Sequence, residues 1–192
     1  CPVRALRVAY TGELGWELHH PIEMQNYLLD ILLSSGEEFN LKLVGARAQN
    51  WLRQEKSYKA FGSDLGRDAG PFESNLSRFV DINKNFLGKD ALLKRKTDVS
   101  CVTLLIDGPK DIDPWGREAL YNETEEVMLG RLTSAGYSVH FKRSIGIGYV
   151  KSSFSEVGTK VRIKIDDAFW NAEIVRDSPY DPQNERIIDR AQ

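Results

Sequence analysis

The second half of the chain allows little but β-structure, because its apolar residues come in short and evenly spaced runs. Turn-forming sequences such as Asp107-Gly108-Pro109 and Val157-Gly158 separate these runs. Short strands at regular spacing, joined by turns, are typical of an all-β barrel or sandwich. We therefore predict six strands, over residues 99–106, 118–121, 127–134, 145–150, 160–165 and 172–175.

The first half combines helical and strand patterns. Apolar and polar residues alternate on both sides of the glycine-bearing stretch 10–17, which predicts a β-hairpin. Apolar side chains then recur every three or four residues from Met24 to Leu32, which predicts a helix that ends at Gly36. Further helices are expected over residues 46–56 and 88–96. A strand is expected over residues 78–82, and residues 41–44 are expected to form a short strand or the segment that leads into the next helix.

Composition excludes several classes of function. The 192 residues carry a formal net charge of −2, which gives no electrostatic basis for a nucleic-acid partner. No apolar run reaches the roughly 18 residues that a membrane span needs, so we expect no membrane partner. Three scattered histidines and two cysteines are too few for a metal site. A chain with only Cys1 and Cys101 usually carries reduced thiols.

One octapeptide carries most of the functional information. It runs Tyr10-Thr11-Gly12-Glu13-Leu14-Gly15-Trp16-Glu17 and lies at the predicted hairpin. Its glycines can adopt the positive φ of a tight reversal, so a plain solvated turn also explains it. Alternation places Tyr10 in the core with Leu6 and Val8. Trp16 is expected in the core, with a pocket wall as the alternative, and Glu13 lies at the turn tip and is expected in solvent. Glu17 indicates a function, because it sets a carboxylate just inside a strand rather than at the loop tip.

The octapeptide resembles the Tyr-Thr-Gly-Glu-x-Gly-aromatic-Glu signature of the glycine-cleavage T-protein (aminomethyltransferase) family. The tail, residues 178–186, is similar to the ends of sarcosine and dimethylglycine dehydrogenases within that family. Asn75 replaces a glycine of the family pattern. Six further segments resemble the family in the same order along the chain, namely residues 45–55, 58–65, 71–76, 86–92, 130–138 and 145–150.

The resemblance implies an α+β fold in two parts. Residues 1–96 would be part of the folate-binding aminomethyltransferase domain, as the C-terminal half of the T-protein folate-binding fold. Residues 97–192 would form a small antiparallel β-barrel, the C-terminal domain of the family. The change from helical periodicity to evenly spaced strands agrees with a boundary after residue 96.

The resemblance also implies tetrahydrofolate as the cofactor. By motif position, Glu17 would accept the paired N–H groups of the pterin, and Arg47 would bind the anionic glutamyl tail. Arg47 lies in the first turn of a helix, where a cation opposes the helix dipole. This indicates a partner that holds it, although an exposed arginine at a helix start also explains the position. Tyr10 and Tyr58 are further cofactor-binding candidates, although the core suits Tyr10 and helix-end packing explains Tyr58 equally well.

For function, the resemblance implies tetrahydrofolate-dependent aminomethyl or methyl transfer, with this chain as the C-terminal fragment of the enzyme. The family's catalytic aspartate lies upstream of the octapeptide, so we expect no catalytic residue here and no transfer by this chain alone. Asp64 and Glu73 match family positions, but structural hydrogen bonds explain them as well as catalysis does. Expected partners are the missing N-terminal half of the same protein and a small-molecule one-carbon donor.

Two points stay open from the sequence. An FAD-binding domain upstream would favour a sarcosine or dimethylglycine dehydrogenase. A non-catalytic relative, such as the regulatory subunit of pyruvate dehydrogenase phosphatase, resembles the same dehydrogenases and is the alternative. The family implies a bacterial cytoplasmic or mitochondrial matrix location.

Overall fold

The structure is a computed structural model that describes residues 1–108 and 112–188. Its helices are α1 (Gln25–Gly36), α2 (Ala46–Glu55) and α3 (Lys89–Lys94). Four single 3-10 turns cover Ile22–Met24, Glu37–Phe39, Ser77–Phe79 and Ser152–Phe154. The strands are β1 (Arg4–Leu6), β2 (Glu17–His19), β3 (Val99–Ile106), β4 (Ala119–Tyr121), β5 (Met128–Ser138), β6 (Arg143–Lys151), β7 (Lys160–Ile165) and β8 (Ala168–Val175).

Strands β3 to β8 form a closed antiparallel barrel, so the α+β class with a C-terminal barrel is confirmed. The strand order is β3-β6-β5-β4-β7-β8, and β3 pairs with both β6 and β8 to close the sheet. Closure removes the unpaired edges that an open sheet of the same strands would present to other chains. The barrel is filled by inward-facing aliphatic side chains, among them Leu104, Ile106, Leu120, Leu132, Ile163 and Ile174.

All six predicted barrel strands are present, but β5, β6 and β8 are longer than expected. Strand β5 continues to Ser138 because Ala135–Ser138 pair residue for residue with Arg143–Gly146 of β6. Small residues such as Gly136 hide this extension in the sequence, since they look like a turn. Strand β8 begins already at Ala168, because Asp166 and Asp167 form a tight turn that pairs Ile165 with Ala168.

The hairpin of the first half is confirmed, with shorter strands than the alternation predicts. Strand β1 pairs with β2 in antiparallel register, from Arg4 opposite His19 to Leu6 opposite Glu17. The long loop between them carries most of the octapeptide. Trp16, expected in the core, is 58% exposed in this loop, because no sheet covers this side of the hairpin in the described structure.

The strand predicted over residues 78–82 is wrong, and residues 41–44 lead into α2 without forming a strand. Residues 41–44 form no regular structure, and Leu43 and Val44 are exposed. Residues 78–82 begin in the 3-10 turn Ser77–Phe79 and continue irregularly. Neither segment meets a partner strand within the described ranges, and an apolar run forms a strand only where such a partner exists.

Helix α2 packs directly on the outside of the barrel. The indole of Trp51 lies over Gly136 of β5, where an added Cβ would come within 2.2 Å of Trp51 Cδ1. A glycine at this position therefore permits the close approach of helix and strand. The boundary after residue 96 stays a prediction, and this contact shows that the first half is anchored to the barrel.

A buried ion pair fastens the same junction. Arg53 at the end of α2 donates to the Asp64 carboxylate at 2.7 Å, and the side chains are 4% and 0% exposed. Arg53 also donates to Ser134 Oγ at 2.7 Å, and Thr133 Oγ1 donates to Asp64 at 2.5 Å. Both charges are thereby satisfied by groups of strand β5, so the pair joins helix, loop and barrel.

We expect Asp64→Ala to lower the free energy of unfolding by about 3–5 kcal/mol, because it leaves the Arg53 charge buried without a partner. Urea unfolding followed by circular dichroism measures the change. The matched control is Asp107→Ala, which removes an exposed pair with Arg143 at 2.6 Å and should cost at most about 1 kcal/mol. Equal costs for the two variants would contradict the structural role of the buried pair.

The two cysteines should differ sharply in reactivity. Cys101 is buried in β3, and burial raises its thiol pKa to about 12, whereas Cys1 is exposed. Because the thiolate is the nucleophile, about one Cys101 thiol in ten thousand is ionised at pH 8. Iodoacetamide should therefore label Cys1 in the folded chain and Cys101 only after unfolding in guanidinium, as measured by mass spectrometry. Labelling of both at similar rates in the folded chain would contradict this expectation.

Candidate functional site

A cavity of about 510 Å³ lies at the junction of the two parts, beside the end of α2. Four segments meet there: the β1–β2 loop, the chain just after α2, the loop before residue 80 and the tail after β8. We call it the junction cavity. It is lined by Ala9, Tyr10, Lys56, Ser57, Tyr58, Lys59, Leu65, Asn75, Leu76, Arg78, Phe79, Asp177, Ser178, Pro182 and Asn184.

Two tyrosines form an aromatic wall of this cavity. The rings of Tyr10 and Tyr58 stack with centroids 6.0 Å apart and planes inclined by 17°. Burial raises the pKa of both phenols, and for Tyr10 the nearby Arg53 charge only partly opposes this effect. Both rings are therefore neutral at physiological pH and offer flat faces for an aromatic ligand.

Cationic side chains complete the lining. Lys56 is fully buried, and burial lowers its pKa despite the neighbouring Asp181 carboxylate. Lys59 pairs with Asp177 at 3.1 Å. The Arg78 guanidinium lies 4.7 Å from the ring centroid of Phe79, and no carboxylate within the described ranges lies within 4 Å of it. Arg78 is thus the cation most available to an anionic ligand.

The other two candidate residues lie elsewhere. Glu17 opens strand β2, is exposed, and has its carboxylate 3.2 Å from His19 Nε2. Arg47, in the first turn of α2, pairs with Asp113, and its guanidinium lies 5.2 Å from the Trp51 ring. The expected partner of Arg47 is therefore present as an acidic side chain of the barrel domain.

Arg47 lines a second, smaller cavity of about 320 Å³ with Trp51, Ile112, Asp113 and Tyr137. Ten residues of helix, about 15 Å, separate the first turn of α2 from the junction cavity at its other end. The structure therefore brings Tyr10 and Tyr58 together, and it does not bring Glu17 or Arg47 into the same cavity.

Asp64 and Glu73, the two acids that match the family pattern, are held by structural hydrogen bonds. Asp64 accepts hydrogen bonds from Arg53, Thr133 and the backbone of Ala60, so its oxygens are occupied. Glu73 accepts from Arg95 at 3.0 Å and Thr97 at 2.8 Å through one oxygen.

The pKa of the Glu73 carboxyl is lowered overall. Burial alone would raise it, but the hydrogen bonds from Thr97, Arg95 and its own backbone N–H outweigh that effect. Glu73 is therefore ionised at neutral pH and is not poised as a general acid. Neither Asp64 nor Glu73 lines the junction cavity.

The sequence did not predict the contact of Glu13 with the tail, or the tail's place in the cavity wall. Glu13, expected in solvent, accepts a hydrogen bond from Tyr180 Oη at 2.6 Å. The tail supplies Asp177, Ser178, Pro182 and Asn184 to the cavity lining. Even the nearest pair, Phe79 and Asp177, is 98 positions apart along the chain, so local periodicity does not indicate the contact.

Two searches of the described residues are negative. No helix among them combines the length and the apolar character that crossing a membrane requires. They also contain no group of three or more His, Cys, Asp or Glu side chains that could hold a metal ion.

Comparisons with known proteins give a consistent family. Residues 1–84 match the model of the GCVT N-terminal domain, and residues 100–181 match that of the glycine cleavage T-protein C-terminal barrel domain. The structure is similar to that of the glycine cleavage system aminomethyltransferase T from Bartonella henselae, with a TM-score of 0.82. That likeness covers 93% of this chain and 50% of the other at 23% identity, so it shows the fold.

Relatives of two kinds are similar in sequence. The mitochondrial dimethylglycine dehydrogenase of Mus musculus is 37% identical over 92% of this chain and 20% of its own length. The aminomethyltransferase of Caldanaerobacter subterraneus subsp. tengcongensis is 31% identical over 88% of this chain and 45% of its own length. The chain thus spans about a fifth of the dehydrogenase and less than half of the aminomethyltransferase. Two adjacent domain models, the order of the motifs and the closed barrel agree, and the chain belongs to the glycine cleavage T-protein family.

Proposed function

We propose that this chain forms part of the cofactor site of a tetrahydrofolate-dependent one-carbon transferase. The junction cavity with its stacked wall, Tyr10 and Tyr58, is the observation that supports this function. Tetrahydrofolate combines a flat pterin with an anionic glutamyl tail, so its site needs apolar faces and a cation. The cavity supplies both, because Lys59 and Arg78 also line it.

Glu17 and Arg47 can contact the ligand only if each releases its present side-chain partner, His19 for Glu17 and Asp113 for Arg47. The Glu17–His19 hydrogen bond and the Arg47–Asp113 ion pair are both exposed, and exposed contacts of these kinds contribute only about 0–1 kcal/mol. A ligand carboxylate can therefore replace Asp113 at Arg47 at little cost, and pterin N–H groups can replace His19 at Glu17. We propose these two residues as contacts for opposite ends of the ligand.

Binding of 5-formyltetrahydrofolate, measured by calorimetry, tests the assignment. We expect Glu17→Ala and Arg47→Ala each to weaken binding by about 1.5–3 kcal/mol, the range for hydrogen bonds to charged groups. Tyr58→Ala should weaken it by about 1–3 kcal/mol, as for loss of an aromatic stacking partner.

Two variants on the barrel serve as matched controls. Arg143→Ala removes an exposed, ion-paired arginine, and Tyr121→Ala removes a tyrosine that packs edge-on against Phe169 at 5.3 Å. Neither residue lines the junction cavity, so both variants should bind as the parent chain does. Unchanged affinity in all three test variants would refute the folate site. A loss confined to Tyr58→Ala would instead limit the site to the junction cavity.

The surface of the first half supports a further packing partner within the parent protein. Several apolar side chains of α1 and the following loop are exposed, including Tyr27 at 56%, Ile31 at 41% and Leu43 at 77%. Exposed apolar groups of this kind mark interaction surfaces. We propose that another part of the same polypeptide covers them, because both kinds of relative are more than twice as long as the matched region.

The relatives also support a proposal for the cellular location of the protein. One is named as mitochondrial and others are bacterial aminomethyltransferases, so we propose a mitochondrial matrix or bacterial cytoplasmic location. A small-molecule one-carbon donor completes the reaction. If the parent protein is a dehydrogenase of this family, FAD would be held outside this chain.

We expect the chain of residues 1–192 alone to give no measurable one-carbon transfer to tetrahydrofolate. Among the described residues that line the junction cavity, Asp177 is the only carboxylate, and it is paired with Lys59 at 3.1 Å. The assay compares the chain with its full-length parent at equal concentration. Turnover by the chain alone would show that its own carboxylates supply the acid–base chemistry. Folate binding without transfer by the parent would favour a non-catalytic regulatory relative.

A further inference from the structure

The tail after β8 builds one wall of the junction cavity. Residues 177–187, here called the strap, leave the barrel and cross the end of α2. Of these residues, Asp177, Ser178, Pro182 and Asn184 line the cavity. No residue of the strap is fully buried, so the strap is held without a hydrophobic core of its own.

One lysine makes the central attachment of the strap. Lys56 Nζ donates to the backbone oxygen of Asp181 at 2.6 Å and to Asn184 Oδ1 at 2.7 Å, with the Asp181 carboxylate at 3.8 Å. The Lys56 side chain is fully buried. The Lys56 ammonium therefore binds the strap and is not free for a ligand.

The stem of Lys56 also fixes the octapeptide loop. Gly12 has a φ of +81° and is so close that an added Cβ would lie 2.3 Å from Lys56 Cγ. Only glycine adopts this backbone and this spacing at low cost. The Lys56 side chain, at the end of α2, therefore contacts both the hairpin loop and the strap. These three segments surround Tyr10 and Tyr58.

Three further hydrogen bonds hold the first residues of the strap in place. The backbone N–H of Ser178 donates to Ser57 Oγ at 2.9 Å, and that of Tyr180 donates to the backbone carbonyl oxygen of Glu55 at 3.1 Å. Tyr180 Oη donates to Glu13 at 2.6 Å. Water can replace each of these bonds at small net cost, whereas β8 is held by a full barrel ladder. The strap can therefore detach while the barrel stays folded.

We infer that the strap is a detachable wall of the junction cavity, and that Lys56 is the positioning residue that seats it for the ligand. Ligand entry would accompany release of the strap, and a bound ligand would hold the strap closed. The identity of the ligand rests on the proposed function, whereas the attachment through Lys56 does not.

The attachment is tested without ligand, by hydrogen exchange and mass spectrometry on the whole chain. Lys56→Met keeps most of the apolar stem and removes the ammonium. Tyr180→Phe removes only the bond to Glu13, and Tyr180 does not line the cavity. Both variants should speed exchange in residues 177–187 by about tenfold or more and leave β3 and β6 unchanged.

Lys84→Met is the matched control, because Lys84 is exposed and pairs only weakly with Asp81 at 4.0 Å. It should leave exchange of the strap as in the parent chain. Unchanged exchange in Lys56→Met and Tyr180→Phe would overturn the inference. If Lys56→Met fails to fold, Tyr180→Phe decides whether the strap detaches. Asn184→Gly then decides the role of Lys56, because it removes an acceptor 2.7 Å from the ammonium at a position whose φ of +60° suits glycine.

The ligand arm repeats the exchange with saturating 5-formyltetrahydrofolate and measures its affinity by calorimetry. Ligand should slow exchange of the strap in the parent chain, and Tyr180→Phe should raise the Kd severalfold although its side chain lies outside the cavity. Faster exchange with an unchanged Kd would show that the strap is not part of the binding wall and would overturn the inference. If the unsubstituted chain binds no folate, the proposed function is refuted. The hydrogen-exchange result without ligand would still test the role of Lys56.

Discussion

The buried pair of Arg53 and Asp64 is the interaction on which the arrangement of the two parts depends. Both side chains are almost inaccessible to water, and neither charge could be buried at this junction without the other. Hydroxyls of Thr133 and Ser134, on strand β5, satisfy the remaining hydrogen-bonding capacity. The pair therefore determines where α2 ends relative to the barrel, and with it the position of every residue from 56 to 59.

The site follows from where α2 ends. The chain turns sharply after Glu55, with Ser57 at a φ of +54°, and the next residues face the hairpin loop and the strap. Tyr58 meets Tyr10 there, and Lys56 meets Asp181. A cavity assembled from segments far apart in the chain exists only if each segment is held in place, which explains why polar bonds are concentrated around it. The proposed binding of folate uses the aromatic wall, and the strap controls access to it.

Much of the barrel could be predicted from the sequence, whereas much of the first half could not. Strands β3 and β7 match the predicted bounds, because a barrel strand needs an inward apolar face and turns on either side, and both are local patterns. The segments 41–44 and 78–82 carry similar apolar runs and form no strand. The difference lies in the absence of a pairing partner for them within the described structure, which an apolar run does not reveal.

The amino-acid sequence alone determined the family, the barrel class and the candidate residues, because order and spacing of motifs are properties of the chain itself. Tertiary structure alone decided which candidates share a site. It paired Tyr10 with Tyr58, placed Arg47 beside Asp113, and brought the tail to Lys56 across a separation of 125 residues to Asp181. Such contacts depend on the closure of the barrel and on the buried pair at the end of α2, and no local periodicity records them.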